Sequence, residues 1–141
     1  MSIEESVHAS CEDALEPRNF PFSKRASLGA DGGLIDSAIP SCGSATNLVG
    51  RAFWLSVIGR NERIFASTCS SFSDFDTQLS VFTGACGNLS CVTGNDDVSN
   101  ADRDCGTTSE VSLFGEEAVT YRVLVHGFQG DSGSFSLTID N

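Results

Sequence analysis

Apolar residues along most of this chain recur at every second position, the period of strands with one buried face. The pattern is plainest near the end, where Phe135, Leu137 and Ile139 alternate with Ser134, Ser136 and Thr138, and where Tyr121, Val123 and Val125 oppose Thr120, Arg122 and His126. The spacing predicts strands over 20–26, 35–39, 52–58, 63–68, 78–83, 89–93, 110–114, 119–126 and 133–139. Pro21 confines the first of these to a sheet edge or to its own beginning, because proline donates nothing to a ladder. The longest apolar run, Ala52–Ile58, is apolar on both faces and predicts a central strand of a two-layer structure, with Trp54 packed in that core. No stretch carries a helical period, and loops rich in Gly and Asp punctuate the chain throughout. The predicted fold is all-β: an antiparallel, jelly-roll-like sandwich of eight or nine strands.

Residues 1–17 break the alternation. They are polar and acidic, offer only Ile3, Val7 and Leu15 for burial, and end at Pro17, so they read as a leader anchored by Cys11, with 18–141 forming one sandwich domain. A length of 141 residues suits one domain with a proper core.

Charge narrows the partners. Eight basic residues against nineteen acidic ones give a net charge of -11, which opposes binding to phosphate backbones and to anionic membrane surfaces. No apolar run approaches the roughly 18–20 residues that span a bilayer. The first residues have neither the basic nor the apolar region of an export signal, so the sequence is expected to be a mature or excised segment.

Cysteine changes the picture more. The six cysteines mostly adjoin turn residues in an acidic, Ser/Gly/Thr-rich chain, which predicts three disulfides formed outside a reducing cytosol. Zinc is opposed by spacing, since the closest pair is Cys86-x4-Cys91. The hairpin GACGNLSC predicts a local Cys86–Cys91 bridge; Cys69 and Cys105 bracket the acidic loops and are expected to join, which leaves Cys11 with Cys42.

Four further features bear on chemistry. Two loops concentrate the oxygen donors that calcium takes, and a hairpin between them would bring Asp76 toward Asp96; the expected ligands are Asp76, Asp96 and Asp97, with Asp74, Asn95 and Asp104 nearby. Turn capping by Asp76 and Asn95 explains the same residues without a metal. Asn88-Leu89-Ser90 is an N-glycosylation sequon at a hairpin tip. Catalysis has little to build on: His8 and His126 are the only imidazoles, and neither a Gly-x-Ser-x-Gly elbow nor a His-Glu-x-x-His motif is present.

A series of short motifs runs in order along the chain: Cys11-Glu12-Asp13-Ala14, Phe53-Trp54 before Gly59, Ser67-Thr68-Cys69, Phe75-Asp76-Thr77 with Leu79-Ser80-Val81-Phe82, Thr83-Gly84-Ala85-Cys86-Gly87, and Asn95-Asp96-Asp97. Tyr121–Phe128 and Gly133–Leu137 complete it. In this order and spacing the chain resembles the bacterial pre-peptidase C-terminal domain in a cysteine-rich extracellular version, over nearly its whole length apart from 1–10. The resemblance implies a sandwich with no catalytic activity of its own, appended to or repeated in secreted and surface proteins, sometimes with bound calcium.

The expected role is therefore non-catalytic and extracellular or cell-surface. The first expectation is a structural subunit that self-assembles into a filament or layer, with residues 1–9 donated to a neighbour's sheet edge. The alternative is an accessory module that binds carbohydrate or protein, for which Phe72, Phe75 and Phe128 are the loop aromatics, Phe75 being better suited to plug the core.

Overall fold

The computed structural model describes residues 10–17, 19–35, 39, 41–43, 50–70, 72–95 and 108–140. Among them, nine strands form two antiparallel sheets. One sheet holds β1 (Phe22–Ser27), β4 (Glu62–Ser67), β7 (Glu110–Gly115) and β9 (Ser134–Asp140) in the order β1-β9-β4-β7. The other holds β2 (Gly33–Leu34), β3 (Arg51–Ile58), β5 (Thr77–Ala85), β6 (Asn88–Asn95) and β8 (Thr120–Gly127) in the order β2-β3-β8-β5-β6. The sandwich is the predicted one; eight of its strands overlap predicted runs, whereas β2 lies just before the expected 35–39, of which 36–38 are outside the described residues. A single helical turn, α1 (Leu28–Asp31), links β1 to β2.

Alternation places the core between the sheets. Phe53, Leu55 and Val57 of β3, Tyr121, Val123 and Val125 of β8, and Leu79 and Val81 of β5 meet Ile64, Ala66, Val111, Leu113, Phe135, Leu137 and Ile139 from the opposite layer. Phe53 and Phe135 touch edge to face across the layers, with ring centroids 5.6 Å apart. Each such side chain contributes about 1.5–3 kcal/mol when fully buried. At one corner the hydroxyl of Tyr121 accepts from the Glu116 N–H (2.9 Å) and lies 3.5 Å from the Phe114 carbonyl, to which it can donate. Gly59 packs so tightly on the Gly115–Glu116 backbone that a β-carbon there would collide with the Glu116 carbonyl.

Trp54 departs from expectation. It lies on the other side of β3, away from the second sheet, in a separate cluster with Ala52, Phe82, Leu124, Cys11 and Cys42, and it is 3% exposed. Ala14, Ile35, Ile39, Cys86 and Leu89 pack around this cluster. The reason lies in β3 itself: its two apolar faces need two covers, and strand parity sends Trp54 opposite to Phe53 and Leu55. The second cover is the chain's own early segment. The Leu15 N–H donates to the Trp54 carbonyl (3.0 Å) and the Ser56 N–H to the Leu15 carbonyl (2.8 Å), which seats this segment beside β3.

Two disulfides hold the cover, and both correct the expected pairing. Cys11 joins Cys86 and Cys42 joins Cys91. The hairpin explains the change: Ala85 pairs with Asn88, so Cys86 lies in the turn while Cys91 stands opposite Phe82. Cys91 is thus three residues past Asn88, which closes the turn, roughly 10 Å along the strand at about 3.4 Å per residue, too far for a local bridge. Cys69 is disulfide-bonded as expected, and its expected partner Cys105 lies outside the described residues.

Candidate interaction face

The two outward sheet faces differ in what they present. On the four-stranded sheet, register sets the outward residues in rows: Arg25 beside Ser136; Ser23, Thr138, Ser67 and Glu110; Asp140, Phe65 and Ser112; and Arg63 beside Phe114. Ser23, Arg25, Arg63, Ser112, Phe114 and Asp140 are exposed. Phe114 is 60% exposed although it stands within a strand. Its backbone is held from below by the Tyr121 hydroxyl, and the Arg63 guanidinium beside it donates to the Ser112 Oγ at 2.6 Å. Ser67 Oγ donates to Glu110 Oε2 (3.0 Å), and Ser23 and Thr138 share a hydrogen bond of 3.3 Å. Near β1 the Arg25 guanidinium lies over the Phe72 ring, 4.5 Å from its centroid. The face thus offers an open ring, two guanidinium groups and rows of hydroxyls: apolar contact for one partner surface and hydrogen bonds for its polar edges.

Of the loop aromatics named from sequence, Phe75 is buried in the core, Phe128 is half-buried and Phe72 is partly exposed beneath Arg25. Phe114 was missed. Its alternation with Leu113 and Val111 assigns it to the solvent side, but nothing in the sequence ranks it above other outward residues.

Of the acidic loop residues named from sequence, the structure describes Asp74, Asp76 and Asn95. Asp74 Oδ1 accepts from the Ser134 N–H (2.9 Å), and Asn95 Oδ1 accepts from the Glu110 N–H (3.2 Å), so both cap backbone. The Asp76 backbone N–H points at Asp131 Oδ2 (3.4 Å), a neighbour that sequence did not suggest. Asp96, Asp97 and Asp104 lie outside the described residues. Among the described residues no group of three His, Cys, Asp or Glu side chains is arranged to hold a metal ion.

His126 sits at the end of β8, where the sequence places it, and it is fully buried on the outer side of the five-stranded sheet, in register between Ala52 and Gln78. Its Nε2 is hydrogen-bonded to the Ser80 Oγ at 2.9 Å. Burial lowers its pKa to about 4, so the ring is neutral near pH 7. A serine beside an imidazole is the geometry of an activated nucleophile, but both residues are fully buried. Among the described residues, His126 Nδ1 and both amide atoms of the equally buried Gln78 find no hydrogen-bond partner. His8 lies outside the described residues. Among the described residues no helix is long and apolar enough to cross a membrane.

No family model matches the chain, and no curated protein matches it. Among solved structures it is similar to the pre-peptidase C-terminal domain of a collagenase from Bacillus anthracis, with a TM-score of 0.53, 11% identity, and coverage of 90% of this chain and 94% of that one. At that identity the likeness concerns the fold alone. The two antiparallel sheets and the near-complete mutual coverage agree with the resemblance read along the sequence, and the chain has the fold of a pre-peptidase C-terminal domain.

Proposed function

We propose that this chain is a non-catalytic extracellular accessory module that binds a carbohydrate surface through the outer face of its four-stranded sheet. The observation that carries the reading is Phe114, exposed within β7 beside Arg63 and Ser112. A sugar presents a C–H face that stacks on such a ring and hydroxyls that bond to guanidinium and serine. Disulfides support the extracellular setting.

The sheet edges support a module that works as a single unit. Lys24 of edge strand β1 lies in register with the core residue Leu137, on the core-facing phase of its strand, and is exposed, β2 is two residues long, and edge strand β6 is interrupted by an irregularity at Val92 opposite Val81 and Phe82. Inward charges, short edges and bulges are the means by which sheets avoid pairing with other chains. A self-assembling filament or layer would instead recruit residues 1–9, outside the described residues, to one of these edges.

The test is a glycan array probed with the oxidised protein and with Phe114→Ala. Binding that weakens at least about tenfold in the variant, roughly 1.4 kcal/mol, supports the reading. Absence of signal on glycans together with binding to fibrous protein would move the same face to a protein ligand, the substrate class in the similar collagenase's name. Concentration-dependent polymers seen by electron microscopy would favour the filament.

A further inference from the structure

From the β5–β6 hairpin we infer that Asn88 is an N-glycosylation site of the secreted protein, a modification independent of the binding face, which belongs to the other sheet. The sequon Asn88-Leu89-Ser90 opens β6 directly after the Cys86-Gly87 turn. One side of this strand is committed: Leu89 packs against the Trp54 cluster and Cys91 is bonded to Cys42. Side chains two apart on a strand share a face, so Asn88 and Ser90 both stand on the opposite side, and both are exposed.

The hairpin also gives a glycan room. β5 pairs with β8 only from Thr77 to Phe82, whereas Thr83, Gly84 and Ala85 pair with β6 alone, so the tip extends past the sheet. A β-carbon added at Gly87 would meet nothing within 4 Å. The two disulfides that tie this hairpin down form in an oxidising compartment, and in a eukaryotic secretory route that compartment is where sequons are modified. There the donor is a lipid-pyrophosphate-linked oligosaccharide. The bond formed joins the Asn88 carboxamide nitrogen to the anomeric carbon of the first sugar. The bond broken is the one from that carbon to the phosphate oxygen, lipid pyrophosphate leaves with the electron pair, and the amide nitrogen gives up one proton. A glycan at this position also screens the free edge of β6 from a second chain.

The experiment is peptide mapping by mass spectrometry of the disulfide-intact protein purified from the medium of its native source, with and without peptide N-glycosidase. The expected result is that the peptide holding Asn88, joined through Cys86 and Cys91 to those of Cys11 and Cys42, carries hexose and N-acetylhexosamine and, after the enzyme, gains a carboxylate at position 88. Recovery of that peptide only in its unmodified form overturns the inference. Ser90→Ala, produced as a secreted protein in a glycosylating host, is expected to lose the glycan while Cys11–Cys86 and Cys42–Cys91 persist. A glycan kept in that variant would place the modification elsewhere.

Discussion

The two outer faces of this sandwich solve one problem in opposite ways. The five-stranded sheet turns Trp54, Phe82, Leu124 and Ala52 outward and keeps them dry under residues from the early part of the chain, fastened by Cys11–Cys86 and Cys42–Cys91. The four-stranded sheet turns outward Ser23, Ser67, Ser112, Ser136 and Thr138, with Phe65 and Phe114 among them, and leaves much of that face to solvent. A hydroxyl keeps its hydrogen bonds in water whereas an indole gains by leaving it, so composition decides which face the chain must cover. The face that needs no cover is the one available to a partner.

Matched truncations test the contrast most directly. Trp54→Ala is expected to cost about 3–5 kcal/mol, as for a buried aromatic that leaves a cavity, measured by chemical denaturation. Loss equal to that of an exposed residue would show that the cover does not bury this face. Removing either bridge, for instance by Cys42→Ser with Cys91→Ser, should cost about 2–4 kcal/mol in the chain-entropy account. As Trp54 is the chain's one tryptophan, loosening of the cover should appear as a red shift of emission before global unfolding.

A smaller effect comes from pH. His126 binds a proton near pH 4 when folded and near its ordinary 6.5 when unfolded, so as pH falls below 6.5 the unfolded chain takes up the proton first. Its stability contribution is therefore complete above about pH 6.5 and is lost by about pH 4, up to roughly 3 kcal/mol. Gln78 and Ser80, which face it, do not titrate. His126→Gln should flatten stability across that window, and an unchanged slope would assign the pH dependence to carboxylates. Phe114→Ala should be the smallest in stability, within about 0.5 kcal/mol, while it weakens binding.

Much of the fold was legible because half-buried strands write their period into the sequence. The core side of β8 and β9 follows directly from Tyr121-x-Val123-x-Val125 and Phe135-x-Leu137-x-Ile139. Other features depend on distant segments, which periodicity cannot report. Apolar residues on both faces of β3 show that two covers are needed, but not that Trp54 meets a disulfide-held strap instead of a sheet. Gln78, Ser80 and His126 occupy the polar phase of their strands and read as solvent-facing, yet all three are fully buried. The cysteine pairing differs for a related reason: closeness in sequence is not closeness across a hairpin, and the turn at Cys86-Gly87 sets Cys91 against Phe82.

The Cys11–Cys86 bridge also fixes how the domain would bear tension. It spans a sequence separation of 75 residues, and a load pulling on the chain outside that loop would cross from sulfur to sulfur without stretching the residues between. At about 3.3–3.6 Å per extended residue, some 250 Å of chain is withheld from extension. Strands β1 to β5 would keep their length under such a pull, so that only the part after Cys86 could pay out. In single-molecule stretching, the oxidised protein should show a contour-length gain shorter by that amount than the reduced one, the behaviour of a tether that yields a little and then holds.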